Sequence, residues 1–112
     1  LDFALHRMAG VIEKLLVYPD AMRATLDRTR GLIHSQRALL ALTQKGLSRE
    51  AAYAAVQRAA MKVWEDGADF RAELAADPQV TAALAPQELD ALFDLAHHTR
   101  HVDTIFARVF PE

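Results

Sequence analysis

Cysteine is absent from this 112-residue sequence, and tryptophan, glycine and proline are scarce, with one, four and four copies. Without cysteine the chain has no disulfide and no thiolate ligand for a metal, which favours a cytoplasmic location. Charged residues interrupt every predicted helix, so no apolar run is long enough to span a bilayer. We therefore expect no membrane partner.

The charge balance argues against a second class of partner. The chain has 13 Lys and Arg against 15 Asp and Glu, a formal net charge of −2. A dedicated nucleic-acid-binding domain needs a basic surface that displaces counterions from the phosphates. We therefore expect no nucleic acid as a partner.

What the chain does have is apolar and helix-forming. Apolar residues make up 52% of the sequence, and its length suits one domain with one core. Alanine is abundant, whereas β-branched residues are sparse and never run together. The composition predicts an all-α fold.

The clearest pattern lies in residues 31–67, which predict two helices joined by a tight corner. Lys45 and Gly46 should end the first helix, because a cation suits its negative end and glycine readily adopts positive φ. Ser48 should cap the second helix, and Gly67 should close it. Apolar residues at spacings of three and four predict one buried face on this helix: Tyr53, Val56, Ala60, Val63 and Trp64.

Residues 1 to about 17 predict another helix, whose wide apolar stripe is typical of packing on more than one side. The stripe begins at the first residue with no cap, so we expect this chain to be a piece of a longer protein. Pro19 should break this helix. Asp20 should cap a second, more polar helix, in which Met22 and Leu26 face inward.

The remainder of the chain predicts shorter helices. Asp69 and Asp77 are placed to cap two of them, and Pro86 suits the first turn of a third. A last helix, from about 95 to 110, has one apolar face, and Pro111 should stop it. The residues predicted to face inward are Phe70, Leu74, Val80, Leu84, Leu89, Leu92, Phe93, Val102, Ile105, Phe106, Val109 and Phe110.

Three histidines crowd the predicted last helix. His97 and His101 are four residues apart, a spacing that can hold a metal, and Asp94 could join them. However, no Glu follows His97 as it does in zinc hydrolases, and the sequence places no third ligand. Solvated or interface histidines, His98 included, are the favoured interpretation, and a small metal-binding protein is the weaker alternative.

His34 and Ser35 are candidates for a base and a nucleophile. Such a pair needs side chains within hydrogen-bond reach and an orienting acid. Adjacent helical residues point about 100° apart, and no acid is supplied locally. We interpret the pair as a helix surface with a buried serine.

A group of arginines could bind phosphate, for which Arg is a preferred bidentate ligand: Arg23, Arg28, Arg30 and Arg37. Asp20 and Asp27 are interleaved with them. Asp27 lies four residues after Arg23 and three before Arg30, at spacings where ion pairs form on a helix. A solvated helix face is therefore the favoured interpretation.

The aromatic residues Tyr53, Trp64 and Phe70 could line a ligand pocket, but their helical spacing favours a place in the core. The sequence has no Gly-rich phosphate loop and no isolated pair of carboxylates in apolar surroundings. From the residues alone we assign no catalytic, cofactor-binding or metal-binding residue.

Four stretches resemble a known family in their order and spacing: VYPDAM (17–22), GLIHSQRALLAL (31–42), LSREAAYAAVQ (47–57) and RHVDTIF (100–106). They resemble the C-terminal end of bacterial-type adenylosuccinate lyase, in the aspartase/fumarase superfamily. The resemblance covers essentially the whole chain. A related lactonising family shares the first pattern more loosely, and the RHVDTIF ending favours the lyase.

The resemblance implies an enzyme that eliminates fumarate from adenylosuccinate, and from a succinylcarboxamide ribotide, in purine synthesis. It implies a general base and a general acid, no metal or organic cofactor, and a homotetramer whose helical bundle brings three subunits together at each active site. Residues 1–30 would be the end of a long bundle helix with a connecting helix. Residues 31–112 would be the compact C-terminal domain, with the remaining lyase chain and sister subunits as partners.

The family's catalytic segments, a Ser-rich mobile loop and a His-containing segment, have no counterpart here. The family residues that hold the substrate phosphate precede the position of Leu1. The fragment is therefore expected to be structural and inactive alone. Two small departures are Ala85, where relatives often have Ser, and His97 with His98, where relatives often have aromatic residues. The rival hypothesis is a free-standing helical interaction module that binds a partner helix through its first helix.

Overall fold

A computed structural model of the chain describes residues 1–110 and is all-α over that range, which confirms the predicted fold class. Pro111, the predicted stop of the last helix, lies outside the described residues. A short 3-10 helix spans Leu32–His34. The α-helices are α1 (Asp2–Glu13), α2 (Pro19–Asp27), α3 (Ser35–Gln44), α4 (Arg49–Asp66), α5 (Phe70–Ala76), α6 (Pro78–Ala83), α7 (Pro86–Ala91), α8 (Ala96–Thr99) and α9 (Val102–Val109).

The corner between α3 and α4 forms as predicted. Gly46 follows α3 with φ +98°, and Gly67 closes α4 with φ +68°, a backbone region that glycine enters without steric cost. The Ser48 hydroxyl accepts a hydrogen bond from the Ala51 N–H at 3.2 Å. This cap satisfies one of the first-turn amides of α4 that have no partner within the helix.

The short helices that follow also begin as predicted. The carboxylate of Asp69 accepts from the Ala72 N–H at 2.9 Å, and that of Asp77 from the Gln79 N–H at 2.8 Å. Ala85 has no side chain that could cap α7. The Glu88 carboxylate instead accepts from the Ala85 N–H at 3.0 Å, which is one half of a capping box.

The core lies between α3, α4, α5, α6 and α7, and α5 packs against each of α4, α6 and α7. Its fully buried large side chains are Phe70, Leu42, Leu74 and Val80. The predicted inward positions Phe70, Leu74, Val80, Leu84 and Leu89 are confirmed. We call residues 31–94 the body of the protein.

The buried face of α4 differs from the predicted one. Trp64 is 82% exposed and Tyr53 is also exposed, so their predicted place in the core is wrong. The buried residues of α4 are Ala52, Ala55, Val56, Ala59 and Val63. The prediction followed the largest apolar side chains. The structure instead turns the alanines toward the core, where small side chains let neighbouring helices approach closely.

At the N-terminal end, α1 and α2 have no buried residue. We call residues 1–29 the N-terminal arm. Its first helix ends at Glu13, earlier than predicted, and the inward orientation predicted for Met22 and Leu26 is wrong, since both are exposed. Pro19 occupies the first turn of α2 rather than only ending α1, and Asp20 lies within that turn instead of capping it.

At the other end, the predicted single helix from about 95 to 110 is two helices, α8 and α9, separated at Arg100 and His101. Neither contains a buried residue. We call residues 95–110 the C-terminal arm. Its apolar face is exposed, contrary to the inward prediction: Val102, Ile105, Phe106, Val109 and Phe110. No helix within residues 1–110 is both long and apolar enough to cross a membrane.

The burial pattern yields a matched pair of substitutions. We expect Phe70→Ala to lower the free energy of unfolding by about 3–5 kcal/mol, because it leaves a cavity in the core. Trp64→Ala should change it by less than about 1 kcal/mol, since the indole is exposed. Urea unfolding of the 112-residue chain measures both. A larger loss for Trp64→Ala than for Phe70→Ala would contradict this arrangement of α4.

Candidate functional site

Ionisable side chains gather where the body meets the C-terminal arm. His34 and Arg37 come from the start of α3, Phe93 follows α7, and His97 and His98 lie on α8. We call these five residues the His34 cluster. It is the candidate site, because it combines a buried titratable group with several cationic neighbours.

The backbone turn before α3 directs His34 inward. Gly31 has φ +88° and is packed so tightly that an added Cβ would lie 3.1 Å from the Phe93 ring and 3.3 Å from Phe70. The Arg30 carbonyl, just before it, accepts from the Phe70 N–H at 3.0 Å and ties the turn to α5. Any side chain at Gly31 would therefore force this turn away from the core.

His34 is 4% exposed and lies between two rings. Its ring centroid is 5.0 Å from that of Phe93 and 6.0 Å from that of His98, which is stacked on it with planes 30° apart. The Nδ1 atom of His34 has no hydrogen-bond partner among the described residues. A buried imidazole in apolar contact is favoured in its neutral form.

Burial lowers the pKa of His34, and the neighbouring Arg37 and His98 lower it further. Because the pKa in the folded protein lies below that of the unfolded chain, the neutral ring contributes stability above about pH 6.5. That contribution is lost as the pH falls below about 6.5 and the unfolded chain binds the proton more readily. Burial also lowers the pKa of His97, with Arg100 and Arg37 as further causes.

Arg37 fixes the segment that leaves α7. Its guanidinium donates from Nη1 to the carbonyls of Leu92 at 2.7 Å and Asp94 at 3.1 Å, and from Nη2 to that of Ala91 at 3.0 Å. Terminal carbonyls of a helix have no partner within it, so this side chain caps α7. The Asp94 carboxylate then accepts from the Ala96 N–H at 2.9 Å and starts α8.

The other arginines do not join Arg37 in a phosphate site. Arg23 Nε donates to the Asp27 carboxylate at 3.0 Å, the predicted ion pair. Arg23 and Arg30 line an open cavity of about 350 Å³ that also touches His34, but Asp27 and Asp69 line it too. Two carboxylates beside two guanidinium groups leave no net positive charge to attract phosphate.

The histidine metal site, the weaker alternative from the sequence, also lacks its geometry. The helix is interrupted between His97 and His101, so their spacing no longer fixes them on one face. His101 Nε2 instead accepts from Arg100 Nε at 3.1 Å, and Arg100 Nη1 donates to the His97 carbonyl at 2.7 Å. Over the described part of the chain, no three residues of His, Cys, Asp or Glu are grouped to hold a metal.

The burial of His34 and Ser35 is the reverse of the expected one. The histidine is buried, whereas Ser35 is only half-buried at the start of α3. The burial of His34 depends on Phe93 and His98, which are about sixty residues away in the sequence. Among the residues near His34 in the sequence, only Gly31 indicated an unusual backbone turn, because a glycine before a helix is typical of one.

Comparison with known proteins relates the chain to one family. The family described as "Adenylosuccinate lyase C-terminus" matches residues 31–109. Adenylosuccinate lyase of Staphylococcus saprophyticus is 48% identical over 108 residues, which is 96% of this chain and 25% of that protein. The chain therefore spans about a quarter of the length of this curated relative.

The capping role of Arg37 can be tested with two substitutions. We expect Arg37→Ala to lower the free energy of unfolding by about 2 kcal/mol, because three carbonyls lose a charged donor. Arg37→Lys should lose less, since it keeps the charge but not the planar fork. The control Arg23→Ala removes an exposed ion pair and should cost less than about 1 kcal/mol. Equal losses for the two alanine variants in urea unfolding would refute the capping role.

Proposed function

Because this chain belongs to the adenylosuccinate lyase C-terminus family, we propose that it forms the C-terminal helical region of an adenylosuccinate lyase. The family match over residues 31–109 is the observation that carries the proposal. Its support is independent of the His34 cluster, which contains no pair of groups arranged as nucleophile and base. We assign this region a structural role.

The proposed activity belongs to the natural-length protein. It would eliminate fumarate from adenylosuccinate to leave AMP, and from the succinylcarboxamide ribotide, as steps of purine biosynthesis in the cytoplasm. Such an elimination takes a proton from carbon with a general base and gives one to the leaving nitrogen with a general acid. We propose that both groups come from the part of the protein that precedes this region, and that neither metal nor organic cofactor takes part.

The shape of the chain supports a role in assembly. Its accessible surface is 8781 Å², whereas a compact monomer of 12.4 kDa exposes about 6,100 Å². The Cα radius of gyration is 19.2 Å, compared with about 13 Å for a compact domain of this length. The excess surface of about 2,700 Å² is of the size that obligate interfaces bury.

Exposed apolar side chains at the spacing of one helix face form a wide stripe along α1: Leu1, just before the helix, and Leu5, Met8, Val11 and Ile12. An apolar area of this kind marks an interaction surface in a soluble protein. We propose that residues 1–30 are the end of a central bundle helix with its connecting helix, and that residues 31–112 are the C-terminal domain. The remainder of the lyase chain and the sister subunits of a homotetramer would cover the stripe.

The same stripe also suits the rival hypothesis, a free-standing interaction module that binds a partner helix through α1. The two differ in what the natural-length protein does. A lyase turns over adenylosuccinate and assembles with copies of itself, whereas a module binds a different protein and has no turnover. Activity and oligomeric state therefore separate them.

We expect the natural-length protein to convert adenylosuccinate to AMP and fumarate. Chromatographic separation of the two nucleotides measures this conversion. The 112-residue chain alone should show no turnover, because the proposed acid and base lie outside it. It is the matched control for contaminating lyase from the host. A folded natural-length protein without turnover would exclude the lyase activity and favour the interaction module.

We further expect Met8→Glu to shift the natural-length protein from a tetramer toward smaller species. The substitution buries a carboxylate in an interface proposed to be apolar, and an unpaired buried charge is costly. Lys14→Glu, just after the same helix, adds a carboxylate outside the stripe and should leave the tetramer intact. Sedimentation velocity reports the masses. An unchanged tetramer in Met8→Glu would show that this stripe is not a subunit interface.

A further inference from the structure

The C-terminal arm is attached to the body through few contacts. Its helices α8 and α9 bury no residue, so a hydrophobic core does not hold them. The direct attachment is the ring of His98, which stacks on the buried ring of His34. Arg37 fixes the segment from which the arm departs, by binding the carbonyls of residues 91, 92 and 94.

We propose that the His34 cluster is a pH-sensitive latch, which holds the C-terminal arm against α3 while His34 is neutral and releases it when His34 binds a proton. The inference rests on the contacts of the cluster and is independent of the proposed lyase activity.

The position of His34 makes its protonation incompatible with the closed arrangement. The ring packs against those of Phe93 and His98 and is 4% exposed, so a proton would place a charge where it is largely removed from water. The Nδ1 atom has no acceptor within hydrogen-bond distance in the described structure. A charged imidazole donates from both nitrogens and would need one there.

The ionisable groups of α3 and α8 near His34 add to this effect. Arg37 from α3 lies beside it, and α8 contributes His97 and His98, with Arg100 just beyond them. The acid on this side is Asp94, whose carboxylate already accepts from the Ala96 N–H. A proton on His34 would therefore meet mostly positive neighbours.

The groups on the cavity side offer little compensation. Arg23 and Asp27 form an ion pair, and Asp69 caps α5 with its carboxylate. Arg30 adds another positive charge to the cavity wall. The lowered pKa of His34, caused first by burial and then by Arg37 and His98, agrees with this arrangement.

Release of the arm restores an ordinary pKa of about 6.5 to His34. Lowering the pH from 7.5 to 5.5 should then raise the released population up to about tenfold, because only the released state binds the proton readily. Above pH 7.5 the latch should be insensitive to pH, since His34 is neutral in both states.

Hydrogen–deuterium exchange of the natural-length protein at pH 7.5 and 5.5 tests the latch, with exchange times scaled for the intrinsic pH dependence of amide exchange. We expect peptides from residues 96–109 to lose about tenfold in protection at pH 5.5, while peptides from α4 keep theirs. His34→Phe should abolish the loss, because a phenyl ring keeps the stacking and binds no proton. His6→Phe, which removes an exposed histidine on α1, should leave the loss unchanged.

Three results would overturn the latch: equal protection of residues 96–109 at both pH values, a full loss that persists in His34→Phe, or a parallel loss in α4. If His34→Phe does not fold, His34→Gln serves instead, because glutamine is uncharged at both pH values. Protection that is independent of pH in His34→Gln supports the latch, and a persistent tenfold loss refutes it.

Discussion

The structure depends on the close approach of α3 and α4. These two helices pack together, and the alanines at positions 52, 55 and 59 of α4 and Ala38 and Leu42 of α3 are all buried. Phe70 at the start of α5 closes this pair from the side, fully buried against a turn that admits only glycine at position 31. The shorter helices then need only caps and one or two apolar side chains each, because the packed pair already supplies a surface for them to cover.

The core of the body does not extend under the two arms. The buried cluster lies within α3 to α7 and the segments that join them, so α1 and α9 keep their apolar stripes in solvent. An exposed stripe of this size is a liability for a free monomer and an advantage for a subunit. The two arms therefore depend on neighbours in a way that the body does not.

Local features could be predicted from the sequence, and long-range ones could not. Ser48, Asp69 and Gly67 were identified correctly because a cap or a C-terminal glycine depends on a few adjacent residues. Met22 was placed wrongly because periodicity shows that a helix has an apolar face, not whether anything covers it, and Trp64 because the largest apolar side chains of α4 do not mark its buried face. The burial of His34 could not be predicted from local patterns either, because it depends on rings about sixty residues away in the sequence. Family resemblance supplied the family assignment, which local patterns could not, because it compares residues along the whole chain.

The division between body and arms decides what a substitution in this region can do. The core residues of the body act on folding, since they form the buried cluster within α3 to α7. Residues of the arms have few contacts within the chain, so a change there leaves the body folded and alters how the region meets its neighbours. The His34 cluster lies on the boundary between the two. Its buried imidazole belongs to the body, while His98 belongs to the arm, and a single proton at this boundary therefore couples the stability of one to the position of the other.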